Sequence, residues 1–166
     1  MSQQATSSAI EIKNLVKEYR AGQPILKGIN LSLPASGLTC VIGPSGTGKS
    51  TMLRCINRLV DPTSGEIWVN IAGQRTDMAK LSGSELRRAR RHIGMVFQEY
   101  NLVDRLSVME NVLTGRLGYI SAWRAGRRKF EAEDSAHVQQ WIDEVGLGDC
   151  ASRRADTSAS PNTPPV

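Results

Sequence analysis

Aromatic residues are scarce in this chain, at 5% of 166 positions, and no RNA-stacking motif or recognition-helix pattern accompanies its basic side chains. A nucleic-acid partner is therefore not expected, although the net charge is +5 and the pI about 9.4. Arg87, Arg88, Arg90 and Arg91 form one basic group, and Arg124, Arg127, Arg128 and Lys129 a second. Both read as solvated helical faces or as a surface beside a membrane partner. Long apolar runs are missing too, which excludes a membrane-spanning helix. Residues 1–9 are polar and Ser/Gln-rich, without the basic start and apolar stretch of a signal peptide, so a soluble cytosolic chain is expected. Cysteine is limited to Cys40, Cys55 and Cys150, which have neither metal-ligand spacing nor a C-x-x-C pair. Two of them, Cys40 and Cys55, fall in elements expected to be core, so the set reads as small buried apolar residues and a free thiol. Hydrophobic residues make up 40% of the chain, enough for the core of one domain.

Glycine, by contrast, is concentrated where it carries chemistry. Gly43-Pro44-Ser45-Gly46-Thr47-Gly48-Lys49-Ser50 matches G-x-x-x-x-G-K-[S/T]. The apolar run before it, residues 38–42, reads as a strand, and Met52, Leu53, Ile56, Leu59 and Val60 recur at helical spacing after it. Strand, loop and helix in that order are the context of a phosphate-binding loop. Residues without a Cβ let the backbone turn its N–H groups inward around an anion, and a helix starting near Lys49 aims its positive end at the same point. Lys49 would reach the β- and γ-phosphates, and the Ser50 hydroxyl would complete the oxygen shell of a Mg²⁺ ion. Thr51, one residue deeper, could bond the α-phosphate.

Around this loop the chain reads as an α/β domain. Residues 10–16 form a weak strand, and Ile29, Leu31 and Leu33 alternate as another, with Ala21-Gly22-Gln23-Pro24 as the turn between them. Tyr19 sits just before that turn and is the only aromatic residue upstream of the loop. Asp61-Pro62-Thr63-Ser64-Gly65 is a turn, followed by a strand over 66–70. Ser82 and Glu85 fit a capping box before a short basic helix over 86–91. Residues 93–97 read as an apolar strand ending in Gln98, whose amide can both donate and accept. A second capping box, Ser107 with Glu110, opens a helix carrying Val108, Met109, Val112 and Leu113. A longer helix over 127–145 places Val138, Trp141, Ile142 and Val145 on one stripe, and Gly146 stops it. These two helices are expected to form a second lobe. His92 and His137 read as packing or surface residues rather than ligands. From Ala151 onward the chain is rich in Ser, Thr and Pro, and is expected to be disordered. The resulting plan is a polar segment 1–9, a domain 10–150 and a tail 151–166.

Taken together, Tyr19, GPSGTGKST, the VDPTSGEI turn and IGMVFQ resemble the ATP-binding subunit of an ABC transporter. CINRLVDPTSGEI and LRRARRHIGMVFQEYNLVDRLSVMENVLTGRLGY are similar, more closely, to the ATP-binding subunits of bacterial phosphonate importers. The resemblance runs over residues 10–157; importers of phosphate esters or amino acids with the same fold stay open. It implies a partial P-loop NTPase core of the ABC ATPase kind, with an N-terminal antiparallel β subdomain and a helical subdomain. It implies ATP and Mg²⁺ as ligands. Tyr19 would stack on adenine, and Gly43, Pro44, Ser45, Gly46, Thr47, Gly48, Lys49, Ser50 and Thr51 would hold the phosphates. Ser50 and Gln98 would contact Mg²⁺, with Gln98 also near the attacking water. Implied partners are transmembrane permease subunits, a second ATP-binding subunit in a homodimer and, indirectly, a periplasmic substrate-binding protein. The subunit would then lie on the inner face of the cell membrane. Glu99, Tyr100, Asn101 and Leu102 would face the permease, though an ordinary loop between lobes accounts for them equally well.

The pattern departs from the family after residue 157. Where an LSGGQ signature is expected, residues 158–166 read SASPNTPPV, and neither an apolar strand ending in Asp-Glu nor a switch histidine is present. Such a change is what a frameshift or interrupted gene gives. The chain is expected to be truncated before the signature and to bind nucleotide without hydrolysing it, because it has no carboxylate to place beside the attacking water. In this fold the strand over 38–42 lies between two parallel strands that come later in sequence. It would lose both neighbours, leave its backbone unpaired and make the chain marginally stable. Other readings are a non-catalytic nucleotide-binding or interaction protein, a soluble P-loop kinase, against which Tyr19 and Gln98 speak, and a nucleic-acid-associated ABC protein.

Overall fold

The computed structural model describes residues 8–98, 101–119 and 130–155, in two compact units that divide between Gly94 and Met95. The first unit is built on an antiparallel sheet of β1 (Ser8–Arg20), β2 (Gln23–Pro34), β3 (Ser64–Ile71) and β4 (Gln74–Asp77), in the order β2-β1-β3-β4. Arg20 pairs with Gln23, which leaves Ala21 and Gly22 as a two-residue turn. Gly22 N–H donates to the Glu18 carboxylate at 3.0 Å. Pro24 and Pro34 are tolerated because β2 is an edge strand, where a missing donor breaks no interior ladder.

Alternation decides which side is buried. Ile10 and Ile12 pair with Val69 and Ile67, and these side chains share the core face. Glu11 and Lys13 pair with Trp68 and Glu66 on the other face, where Glu11 bridges Lys13 and Arg75. The register of β1 slips between Ile12 and Leu15, and Asn14 there has a φ of 48°. Asn30 stabilises this bulge: its side-chain oxygen accepts from Asn14 N–H at 2.9 Å while its amide donates to Gly28 O at 3.0 Å.

Helix α1 (Lys49–Ile56) covers the core face with Met52, Cys55 and Ile56, spaced i, i+3, i+4. With Ile12, Leu15, Leu26, Ile67, Val69, Met78 and Ala89 they form one hydrophobic cluster. Each fully buried aliphatic side chain in it is worth roughly 1.5–3 kcal/mol relative to exposure. The helix ends earlier than its apolar spacing suggested, because Arg58 takes a φ of 58° and breaks the repeat before Leu59, which is exposed. The carbonyls just past its end are met by one guanidinium group. Arg90 Nε donates to Asn57 O at 3.0 Å and a second Arg90 nitrogen to Arg58 O, a favourable placement of positive charge at a helix C-terminus. Arg90 belongs to α2 (Gly83–Arg90), so one of the four arginines read as solvated is committed to packing. Ser82 is the N-cap of α2 as expected, yet its side chain makes no cap bond and the reciprocal box does not form.

Two expected strands are not strands. Residues 38–42 and 93–97 are irregular, and Leu38, Ile42 and Val96 are 97%, 86% and 98% exposed. None of the described strands pairs with them, and an apolar run adopts extended ladder geometry only when a neighbour takes its backbone bonds. Cys40 is consequently exposed rather than core, while Cys55 is buried.

The second unit contains α3 (Val108–Thr114) and α4 (Ala132–Glu144). The capping box of α3 forms in full: Glu110 N–H donates to Ser107 Oγ at 3.1 Å and Ser107 N–H to Glu110 Oε2 at 2.9 Å. Leu113 packs with Val138 and Ile142, and Arg116 pairs with Asp134 at 2.6 Å. Trp141 and Val145 of the expected stripe are exposed, and His137 stacks on Trp141 at the surface. Gly146 ends α4 with a φ of 74°. Residues 151–155 are ordered against α3 instead of opening the expected tail. Val108 N–H donates to Arg153 O, Ala155 N–H donates to Leu106 O, and Ala155 is buried. The N-terminal segment likewise gives way to β1 at Ser8. Residues 1–7 and 156–166, the second basic group and the start of the helix expected from 127 lie outside the described residues.

The tightest backbone approach in the first unit is at Gly65, with a φ of 101°, where a Cβ would lie 2.5 Å from Asn14 O and 2.7 Å from Leu15 Cα. Gly65→Ala is expected to destabilise the unit by on the order of 3 kcal/mol, from overpacking against backbone plus left-handed strain. Urea unfolding of the variant checks this; a loss under about 0.5 kcal/mol, the scale of a neutral surface change, would contradict it.

Candidate nucleotide site

The loop 43–48 connects the irregular segment before it to α1, and three of its residues have positive φ: Gly43 at 155°, Gly46 at 81° and Gly48 at 91°. Gly48 is the N-cap of α1 and offers no side-chain cap bond. The first helical bond runs from Met52 N–H to Gly48 O at 2.8 Å. The N–H groups of Lys49, Ser50 and Thr51 therefore precede the helical ladder, at the positive end of the helix dipole. Lys49 Nζ reaches back across the loop to Gly43 O at 2.7 Å and Pro44 O at 2.6 Å, and Thr47 Oγ1 donates to Pro44 O at 3.0 Å. These bonds hold a ring of backbone with the lysine ammonium inside it. Lys49 and Thr51 are half-buried, whereas Pro44, Ser45 and Ser50 are exposed. The arrangement can hold an oxyanion by dipole, amides and ammonium together.

Gly48 also fixes where the loop sits. A Cβ there would lie 2.8 Å from Leu26 Cδ2 and 3.0 Å from Ile25 Cγ2, so the loop rests directly on β2. Ile25 is in turn part of a groove of about 510 Å³ lined by Tyr19, Arg20, Gly22, Gln23, Pro24, Ile25 and Lys27. Tyr19, 58% exposed, stands at its wall with Lys17 Nζ 4.9 Å from the ring centroid. The structure thus brings Tyr19, an open groove and the phosphate-binding loop together on one hairpin. The seat formed by Ile25 and Leu26 was missed in the sequence; the signal available was an apolar pair just past the turn, which periodicity alone reads as ordinary strand.

Gln98 belongs to the second unit, where it is exposed on a bend. Asn101, with a φ of 49°, and Leu102 are exposed there as well, while Glu99 and Tyr100 lie outside the described residues. Among the described residues no group of three or more His, Cys, Asp or Glu could hold a metal ion. A hard cation at this loop would take Ser50 Oγ as its protein ligand and complete its shell from phosphate oxygens and water, a donor set that suits Mg²⁺. Burial pushes the Cys55 thiol up, against the opposing pull of the Lys17 charge, and keeps this residue of α1 an inert part of the core. Among the described residues no helix is long and apolar enough to cross a membrane.

The sequence profile of the family described as ABC transporter matches residues 26–161, a span that begins in β2, includes the loop and α1, and extends into the second unit. The chain belongs to the ABC transporter family. It is 59% identical over 150 residues to the phosphonates import ATP-binding protein PhnC of Bordetella parapertussis, covering 90% of this chain and 59% of that protein. It is 57% identical over 148 residues to the PhnC protein of Nitratidesulfovibrio vulgaris, covering 89% and 54%. Among solved structures, a dimeric ATP-binding cassette in a post-hydrolysis state bound to ADP and Pi matches with 30% identity and a TM-score of 0.70, over 89% of this chain and 62% of that one. This ABC chain spans a little over half the length of the curated relatives it matches. Its antiparallel sheet, P-loop and helical unit have the fold of an ABC ATPase, a P-loop NTPase.

Gly48→Ala is expected to disturb both the loop and its seat, since the added methyl meets Leu26 and Ile25 and the residue must keep a left-handed backbone. A loss of about 2–4 kcal/mol in stability and of measurable nucleotide binding follows. Calorimetry and thermal unfolding of the variant check it; wild-type values for both would contradict the seat.

Proposed function

We propose that this chain is the ATP-binding, energy-coupling part of an importer for phosphonates, and that its loop 43–51 holds the phosphates of ATP. The observation that carries the reading is the Lys49 ammonium held inside the loop by Gly43 O and Pro44 O, with the unladdered N–H groups of Lys49, Ser50 and Thr51 beside it. Tyr19 stacks on the adenine from the groove that shares Ile25 with the loop's seat. The β- and γ-phosphates take the place of the two carbonyl oxygens as partners of Lys49, and the α-phosphate lies near Thr51. Ser50 Oγ would be the loop's contact to Mg²⁺, and the family resemblance gives Gln98 as a second contact; the ion, when bound, would neutralise charge on the phosphate oxygens. The names of the relatives, phosphonates import ATP-binding protein, support the substrate class.

The remaining parts of the reading rest on the resemblance to the ATP-binding subunits of ABC importers and are part of the same proposal. Two ATP-binding subunits form a dimer against a pair of membrane permease subunits, on the cytoplasmic face, with residues 99–102 at the permease and a periplasmic binding protein delivering the substrate beyond it. The 166-residue chain itself binds ATP without turnover. The loop 43–51 contains no Asp or Glu to place beside an attacking water, and residues 158–166 read SASPNTPPV in place of a signature sequence. Positioning alone leaves most of the catalysis missing.

Titration of the chain with Mg·ATP by calorimetry, alongside phosphate release, tests this. Lys49→Ala is expected to weaken ATP binding about 10- to 100-fold, the worth of a lost charge-assisted bond to phosphate, and phosphate release is expected to stay at the buffer rate in both proteins. Unchanged ATP affinity in Lys49→Ala would remove the site, and multiple turnovers by the wild-type chain would remove the inactive reading.

A further inference from the structure

Tyr19 is more than half exposed at the end of β1, and a ring so exposed needs a neighbour to fix its plane for a stacking partner. The structure supplies one through Lys17. Lys17 Nζ donates to Asp61 O at 2.8 Å and lies 4.9 Å from the centroid of the Tyr19 ring. Asp61 is itself held: Arg58 Nε donates to its carboxylate at 3.0 Å, and Arg58 also donates to Met78 O and Ala79 O, both at 2.6 Å. Next to it, Thr63 N–H donates to Val16 O and Glu18 N–H to Thr63 Oγ1, both at 2.9 Å, so the end of β1 is stitched to the turn that follows α1. That turn is the continuation of the helix whose first residue is Lys49.

We propose that Lys17 is a positioning residue for nucleotide binding, clamping one face of Tyr19 from an anchor on the turn after α1 so that the opposite face is presented to the base. The inference rests on the nucleotide reading above and deepens it. A cation over one face of an aromatic ring restricts its rotation, and the ring's other face is the one a base can use. Through α1 and this turn, the distance between phosphate loop and base platform is set by a rigid element rather than by the exposed side chain alone. The Lys17 charge is also felt by the Cys55 thiol inside α1.

The test compares Mg·ATP with Mg·tripolyphosphate, which has no base, on the 166-residue chain. Lys17→Met is expected to weaken ATP about three- to five-fold while leaving tripolyphosphate within about two-fold, and Lys17→Arg to restore most of the ATP affinity. In a Tyr19→Ala background, Lys17→Met is expected to add no further loss for ATP. Equal losses for both ligands, no loss for ATP, or a loss that persists without the Tyr19 ring would each overturn the proposal. Should Lys17→Met fail to fold, Lys17→Gln keeps a donor for Asp61 O, removes the charge over the ring and carries the same comparison. Lys49→Ala separates the two readings: if it leaves both ligands unchanged, it is the phosphate site that fails.

Discussion

The contact on which the proposed nucleotide site depends is the seating of Gly48 against Ile25 and Leu26. A phosphate-binding loop is a run of backbone with little side-chain packing of its own, so something else must hold it at the mouth of its helix. Here the absence of a Cβ at Gly48 lets the loop descend onto β2, and α1 then starts at the next residue with its free N–H groups aimed past the loop. The β1–β2 hairpin therefore does two jobs. The first residues of β2 past the turn supply the seat, and the end of β1 supplies Tyr19 at the adjoining groove.

Held in this way, the first unit works as a scaffold with few degrees of freedom. The core cluster under α1 fixes the helix axis, Arg90 and Arg58 grip its C-terminal turn, and the bulge at Asn14 brings β1 against Gly65. Each of these contacts lies away from the loop, yet each limits where the loop can point. By contrast, the apolar segments 38–42 and 93–97 flank this scaffold without strand partners among the described residues. They are the part of the fold whose stability the described contacts do not supply.

Much of this was legible in the sequence because it is local chemistry. GPSGTGKST dictates the loop by its glycines and its lysine, the turn at Ala21-Gly22 follows from residue type, and Ser107 with Glu110 announces a capping box that forms as written. The family itself was readable from Tyr19, the loop and the IGMVFQ stretch. What failed depended on partners distant in the chain. Residues 38–42 have the composition of a buried strand, but a strand is a pairing and composition carries no neighbour. The end of α1 was misplaced because Arg58 adopts a left-handed backbone that its identity does not announce, held there by carbonyls twenty residues on. Ser82 and Glu85 have capping-box spacing without the box. The bond from Lys17 to Asp61 beside the Tyr19 ring could not be read either, since Asp61 comes from a turn that folding alone brings near.

The claim at the centre of this account is that the loop 43–51 is preformed on β2 and closes on nucleotide phosphates. Amide hydrogen exchange of the chain with and without Mg·ATP measures it directly. The account predicts slowed exchange at Gly46, Gly48, Lys49, Ser50 and Thr51, together with the hairpin tip around Tyr19, and unchanged exchange in α3 and α4. Exchange at the loop that is indifferent to Mg·ATP, or protection confined to the second unit, would contradict it.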